Sequence, residues 1–165
     1  MSEEPKFVEE LLVKEEPIKS MLYYMASPYT AKDAQGNSPT EKLLEDRAER
    51  ATKAAIELLK QGVYVFAPIA YNAPWERHEN NLPKEWWFWQ KYDEAFVERM
   101  DALIVLQLEG WQHSTGVKAE IEFATKIARP VIFLSEEQIY SRNLPDTLVK
   151  TGKDISDGYP TAPTE

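Results

Sequence analysis

Glu120 closes the segment Gly110-Trp111-Gln112-His113-Ser114-Thr115-Gly116-Val117-Lys118-Ala119-Glu120, the stretch richest in groups able to do chemistry. Ser114, Thr115 and Gly116 are small residues opening a helix, and a helix N-terminus of that kind is a natural cradle for an anion. Glu120 falls one turn further in, ahead of Ile121 and Phe123, whose spacing turns them toward a sheet. A carboxylate there is either a first-turn charge matched to the helix dipole or a catalytic group, and spacing alone allows both. Two further acids, Asp93 and Asp101, stand eight residues apart. Asp93 sits between Tyr92 and Phe96, just after Trp86-Trp87-Phe88-Trp89. Such aromatics are either core or subunit interface, or a wall on which a planar ligand stacks. Asp101 stands at the entrance to an apolar run, where a capping carboxylate is ordinary.

Composition removes many other chemistries. There is no cysteine, so disulfides, thiolate metal sites and thiol nucleophiles are excluded. The only histidines are His78 and His113, too few for a histidine-rich metal site. The chain has 28 acidic against 19 basic residues, a net charge of −9, which disfavours a general binder of nucleic-acid polymers. No Walker loop, GxGxxG, GxSxG or HExxH is present. The apolar runs are too short to span a bilayer, and the acidic N-terminus is unlike a signal peptide, so a cytoplasmic protein without membrane partners is expected.

The elements that must position these groups alternate along the chain. Met21–Ser27 reads as a buried strand ended by Pro28, and Val63–Ala67 as a second ended by Pro68. Ala102–Leu108 and Val131–Leu134 give a third and a fourth. Ser38-Pro39-Thr40-Glu41 has the form of a capping box with proline at the first helical position. Leu44, Ala48, Ala51, Ala55, Leu58 and Leu59 follow as an apolar stripe that Gly62 closes. Helices are also expected over about 84–100 and 115–128, with a long aromatic loop before the first of them. Strand–helix alternation of this kind predicts an α/β fold: a doubly wound parallel sheet, flavodoxin-like or Rossmann-like, in a single domain. The expected organisation is an acidic tail or short docking helix over 1–19, the α/β domain over 20–142 and a proline-rich arm over 143–165. Ligands of such sheets bind beyond the carboxyl ends of the strands, which points to the loops Ser27–Asn37, Ala67–Asn81 and Glu109–Gly116.

Three features taken together resemble the nucleoside 2-deoxyribosyltransferase superfamily. They are Tyr24-Met25-Ala26-Ser27-Pro28-Tyr29 at the end of the first strand, Asp93 ahead of Asp101, and Ser114-x-Gly116-x-x-x-Glu120 after the third strand. Within the superfamily the chain looks most like a poorly characterised bacterial and phage branch sharing a Gly-Trp-x-x-Ser-x-Gly-x-x-x-Glu segment. It is also similar to the nucleoside 5′-monophosphate N-glycosidases. The resemblance spans about Met21 to Leu134 and implies that Glu120 is a nucleophile attacking the anomeric carbon. It implies that Asp93 is the acid near the departing base, and that Tyr24 orients the nucleophile. Ser27, Tyr29, Ser114, Gly116 and Asp101 are the substrate-binding residues it suggests, with no metal and no cofactor.

The superfamily's oxocarbenium-like transition state suits paired carboxylates, one trapping the sugar and one protonating the base. Serine at position 114, where the transferases for free nucleosides carry aspartate, is the choice of the monophosphate hydrolases. Against that, Ser27-Pro28-Tyr29-Thr30-Ala31-Lys32 lacks the arginine of their phosphate loop, for which Lys32 or Arg47 would have to substitute, and Lys118 stands where they carry glycine. The expectation is therefore cleavage or transfer of the N-glycosidic bond of a nucleoside 5′-monophosphate or nucleoside, a small-molecule partner, by a homo-oligomer. The competing reading is a catalytically silent nucleotide sensor or an oligomerising scaffold of the same fold. A phosphoribohydrolase of the lysine-decarboxylase-like kind is weakened by the missing Pro-Gly-Gly-x-Gly-Thr loop.

Overall fold

A computed structural model describes residues 20–79, 81–155 and 157–158. The expected tail over 1–19 lies outside the described residues. Four strands form one all-parallel sheet in the order β2-β1-β3-β4: β1 (Leu22–Ala26), β2 (Tyr64–Phe66), β3 (Ala102–Leu106) and β4 (Val131–Leu134). This is the doubly wound α/β arrangement expected from the alternation of elements. The helices are α1 (Glu41–Lys60), α2 (Pro68–Asn72), α3 (Trp86–Arg99), α4 (Thr115–Lys126) and α5 (Glu136–Tyr140). None of the described helices is long and apolar enough to cross a membrane.

Period-two alternation along the central strands feeds two cores. Tyr23, Met25, Ile104 and Leu106 meet Ala51, Ala54 and Leu58 of α1 and Ile139 of α5. Tyr24, Ala26, Leu103 and Val105 meet Val97 of α3 and Val117 and Ala124 of α4. The chain therefore leaves β1 toward one face and β3 toward the other, although β1 and β3 are neighbours. A crevice at their carboxyl ends is the geometric consequence.

Several local details depart from the sequence-based expectation. The α1 cap is Thr40, not Ser38: its hydroxyl accepts from the Leu43 amide at 3.2 Å, and the helix starts at Glu41. The stripe on α1 includes Arg47 and Ala54 but not Leu59, which is 56% exposed. The expected aromatic loop folds into α2 and a 3-10 turn over Ala73–Arg77, and α5 was not anticipated. Gly62 ends α1 with φ of +82°, and the Val63 and Gly62 amides donate to Leu58 and Leu59 carbonyls, a Schellman closure. The described part of the C-terminal arm docks beside it: the Thr151 and Gly152 amides both donate to the Gly62 carbonyl at 2.9 Å. Leu148 of the same arm is buried in the α1 side of the core.

Candidate active site

A cavity of about 820 Å³ opens at the carboxyl ends of the central strands. The loop after β1 brings Ser27 and Tyr29 to it, α2 brings Asn72, α3 brings Asp93, and the start of α4 brings Ser114, Gly116 and Glu120. Residues nearly a hundred positions apart thus meet because β1 and β3 are hydrogen-bonded neighbours, with Tyr24 opposite Leu103.

The centre is a triad of buried polar groups. Tyr24, fully buried on β1, donates its hydroxyl to Oε1 of Glu120 at 2.6 Å. Glu120 is only 6% exposed, and burial together with the charge of Asp93 pushes its pKa up to about 8. Burial likewise raises Asp93 to about 6, and its Oδ1 is enclosed with no hydrogen-bond partner. Two such carboxyls near neutral pH share one charge and one proton between them. The Tyr24 phenol is held far above its ordinary pKa, first by burial and then by the Glu120 and Asp93 charges, so it remains a donor. Burial leaves Asp93 the stronger acid of the two, and the Tyr24 proton aimed at Glu120 opposes that by favouring the ionised form of Glu120.

Ser114 is the N-cap of α4, its Oγ accepting from the Val117 amide at 3.3 Å. The Thr115 and Gly116 amides in the same turn have no partner within the helix and border the cavity, as an anion cradle requires. A Cβ added at Gly116 would meet the Trp86 ring at 3.6 Å, an ordinary contact, so the turn and the ring are neighbours across the cavity lining. Trp86, Trp87 and Trp89 form the wall on the α3 side. Trp89 is fixed by its Nε1 donating to the Pro83 carbonyl at 2.8 Å, and its ring packs edge-on against Tyr92. The buried hydroxyl of Ser27 has no partner. Tyr29 donates to Glu76 at 3.0 Å, and Glu76 also meets Lys84 at 3.3 Å.

Two expectations need correction. Asp101 lies at the amino end of β3, where its Oδ2 accepts from the Leu22 amide at 2.9 Å and its own amide donates to the Leu22 carbonyl. With five residues in β3 at roughly 3.3 Å each, that is about 17 Å of strand away from the cavity, so it braces the sheet instead of touching a ligand there. Arg47 does not replace the missing phosphate-loop arginine. It is 5% exposed, and its guanidinium donates to the carbonyls of Tyr29 at 2.6 Å, Ala31 at 3.0 Å and Glu109 at 3.4 Å. His113 borders the cavity but His78 does not.

Asn72, Glu76 and Lys84 belong to the site and were missed from sequence. Asn72 is 7% exposed and sits within hydrogen-bond reach of the Tyr92 hydroxyl at 3.5 Å. A polar side chain one turn after Pro68, directly beyond a strand end, was the only signal available for it.

Residues 21–136 match the family model described as Domain of unknown function (DUF1937). No curated protein matches the chain.

Proposed function

The chain belongs to the DUF1937 family, and we propose that it cleaves or exchanges the N-glycosidic bond of a nucleoside or nucleoside 5′-monophosphate. In this reading Glu120 is the nucleophile, Asp93 the acid and base, and Tyr24 the residue that holds Glu120 in position, as in the nucleoside 2-deoxyribosyltransferase superfamily that the sequence resembles. The observation that carries it is the 2.6 Å hydrogen bond from Tyr24 to Glu120, buried at the head of a cavity that Asp93 also enters.

The chemistry follows from one shared charge. With the charge on Glu120, a carboxylate oxygen faces the anomeric carbon as positive charge develops there and closes a C1′–O bond. With the proton on Asp93, the departing base receives it as the C1′–N bond breaks. Asp93, now ionised, then takes a proton from the water or second base that releases the sugar. The tryptophan wall suits a planar base, and the first turn of α4 suits the 5′ end of the sugar.

The test is chromatographic detection of free base from a panel of nucleosides and nucleoside 5′-monophosphates, with and without an acceptor base. Release by the native chain is expected to fall by about 10³-fold or more in Glu120→Gln, since the nucleophile itself is lost. Release unchanged in that variant, or none from any substrate, overturns the reading; in the second case a nucleotide sensor becomes the better account.

A further inference from the structure

We infer that the ligand of this cavity is an N-glycoside whose base carries a fixed positive charge, a pyridinium or N-alkylated purine riboside. The inference rests on the proposed glycosidic reaction and adds the class of leaving group to it.

The balance of charge around the cavity is the first support. Glu41, Glu76 and Glu85 at the rim join Asp93 and Glu120 inside, against only Lys32 and Lys84. Lys84 is already paired, with Glu76 at 3.3 Å and Glu41 at 3.5 Å, so the lining is acidic in net effect. A neutral base gains nothing from that field, whereas a cationic one is drawn into it. The second support is Asp93 itself: it is 7% exposed, borders the cavity, and has an enclosed Oδ1 that nothing in the protein satisfies. A buried carboxylate without a counter-charge is costly, and a flat cation in the cavity beside it offsets that cost through charge alone. The third support is the wall of Trp86, Trp87 and Trp89, since indole faces are the strongest aromatic partners for a flat cation. Carboxylates and indoles lining one cavity are the two groups that recognise a quaternary nitrogen heterocycle.

The bookkeeping of the reaction then changes in a measurable way. When the C1′–N bond of a cationic base breaks, its electron pair goes to the ring nitrogen, and the base leaves neutral without taking a proton. A Glu120 oxygen forms the new C1′–O bond. Water then attacks C1′, its proton passes to the Asp93 carboxylate and on to solvent, and the Glu120–sugar bond breaks. One proton is released to solvent per turnover; with a neutral base the proton leaves with the base and none is released. Asp93 is needed for the second step and not for the first.

Two measurements on the whole chain separate this inference from the reading beneath it. In the first, quenching of tryptophan fluorescence compares 1-methylnicotinamide with nicotinamide, a cation and its neutral counterpart. The cation is expected to bind at least tenfold more tightly, with the difference reduced several-fold in Trp87→Leu, whose ring is 69% exposed and whose loss leaves the core intact. Equal or weaker binding of the cation overturns the inference. The second measures base and proton release from nicotinamide riboside, its 5′-monophosphate and the neutral nucleoside inosine. Nicotinamide is expected to appear with one proton per turnover, and Asp93→Asn is expected to retain a single-turnover burst of it while losing steady-state release. Release from inosine but not from either pyridinium substrate, abolished in Glu120→Gln, overturns the cationic preference and leaves the glycosidase reading standing. Tight binding of the cation with no release from any substrate removes the glycosidase reading and leaves the cation subsite.

Discussion

Arg47 and the Asp93–Glu120 pair are charged groups buried to the same degree, between 5% and 7% exposed, at the same end of the sheet. They are buried on opposite terms. The Arg47 guanidinium donates to three carbonyls, and through them ties the loop after β1 to the loop after β3. Gly110, at φ of +88°, lets that loop come close, since a Cβ there would stand 3.1 Å from the guanidinium. Glu120 receives one hydrogen bond from Tyr24, and Asp93 keeps an oxygen with none. A charge that holds a fold together has its hydrogen bonds completed by the protein. A charge meant for a ligand is left wanting one, and the raised pKa values of Asp93 and Glu120 express that shortage.

If Arg47 is the structural member of the comparison, removing it is the most damaging change. Arg47→Met keeps much of the volume but leaves three carbonyls unsatisfied, at an expected cost of about 3–5 kcal/mol. Urea denaturation reads this directly. A loss under 1 kcal/mol, read at an unchanged slope, breaks the contrast by showing that the carbonyls find other partners.

The carboxylates are expected to behave in the opposite sense. The folded pKa of Glu120, about 8, lies above its ordinary 4.5, so the folded chain binds more protons than the unfolded one between those values. Stability therefore falls as pH rises through that window, and Glu120→Gln escapes the loss. The variant is expected to match the native chain near pH 4.5 and to exceed it by about 4 kcal/mol at pH 8, on the order of ten degrees in Tm. A constant offset across the window means that burial of Glu120 carries no stored cost, and the comparison with Arg47 collapses. Gained stability together with lost base release is the sharper result, because it separates a functional carboxylate from a structural one.

The frame on which this division rests was legible in the sequence. The parallel sheet follows from short apolar runs alternating with helical stripes, and the strand order that the structure adds brings Tyr24, Asp93, Ser114 and Glu120 to one end. The roles of individual charges were not legible. Arg47 and Asp101 are as polar in sequence as any catalytic residue, and only their backbone partners reveal them as braces. Spacing says which face of a helix a side chain occupies; it does not say whether a carbonyl waits there. The start of α1 shows the same limit more locally, since Ser38 and Thr40 both qualify as caps and the path of the loop selects Thr40. Asn72 was hidden for a different reason: α2 is a five-residue helix inside a segment that reads as loop.

Tyr24 stands between the two kinds of burial, since its ring belongs to the α3–α4 core and its hydroxyl to the site. Tyr24→Phe removes the hydroxyl and keeps the ring, so packing is preserved and only the hydrogen bond to Glu120 is lost. A hydrogen bond to a charged acceptor contributes about 1.5–3 kcal/mol, which corresponds to roughly tenfold or more in base release. The sign of the pH effect is fixed as well. The hydroxyl favours the ionised form of both carboxyls, so its removal raises Glu120 and Asp93 further. The native profile is expected to be bell-shaped, failing below about pH 6 where the pair is fully protonated and above about pH 8 where both carboxyls are ionised. In Tyr24→Phe the maximum falls and the alkaline limb moves up, while urea unfolding at pH 7 changes little. A profile of native shape with a large loss of stability assigns Tyr24 to the core instead, and Glu120 then holds its position without the phenol.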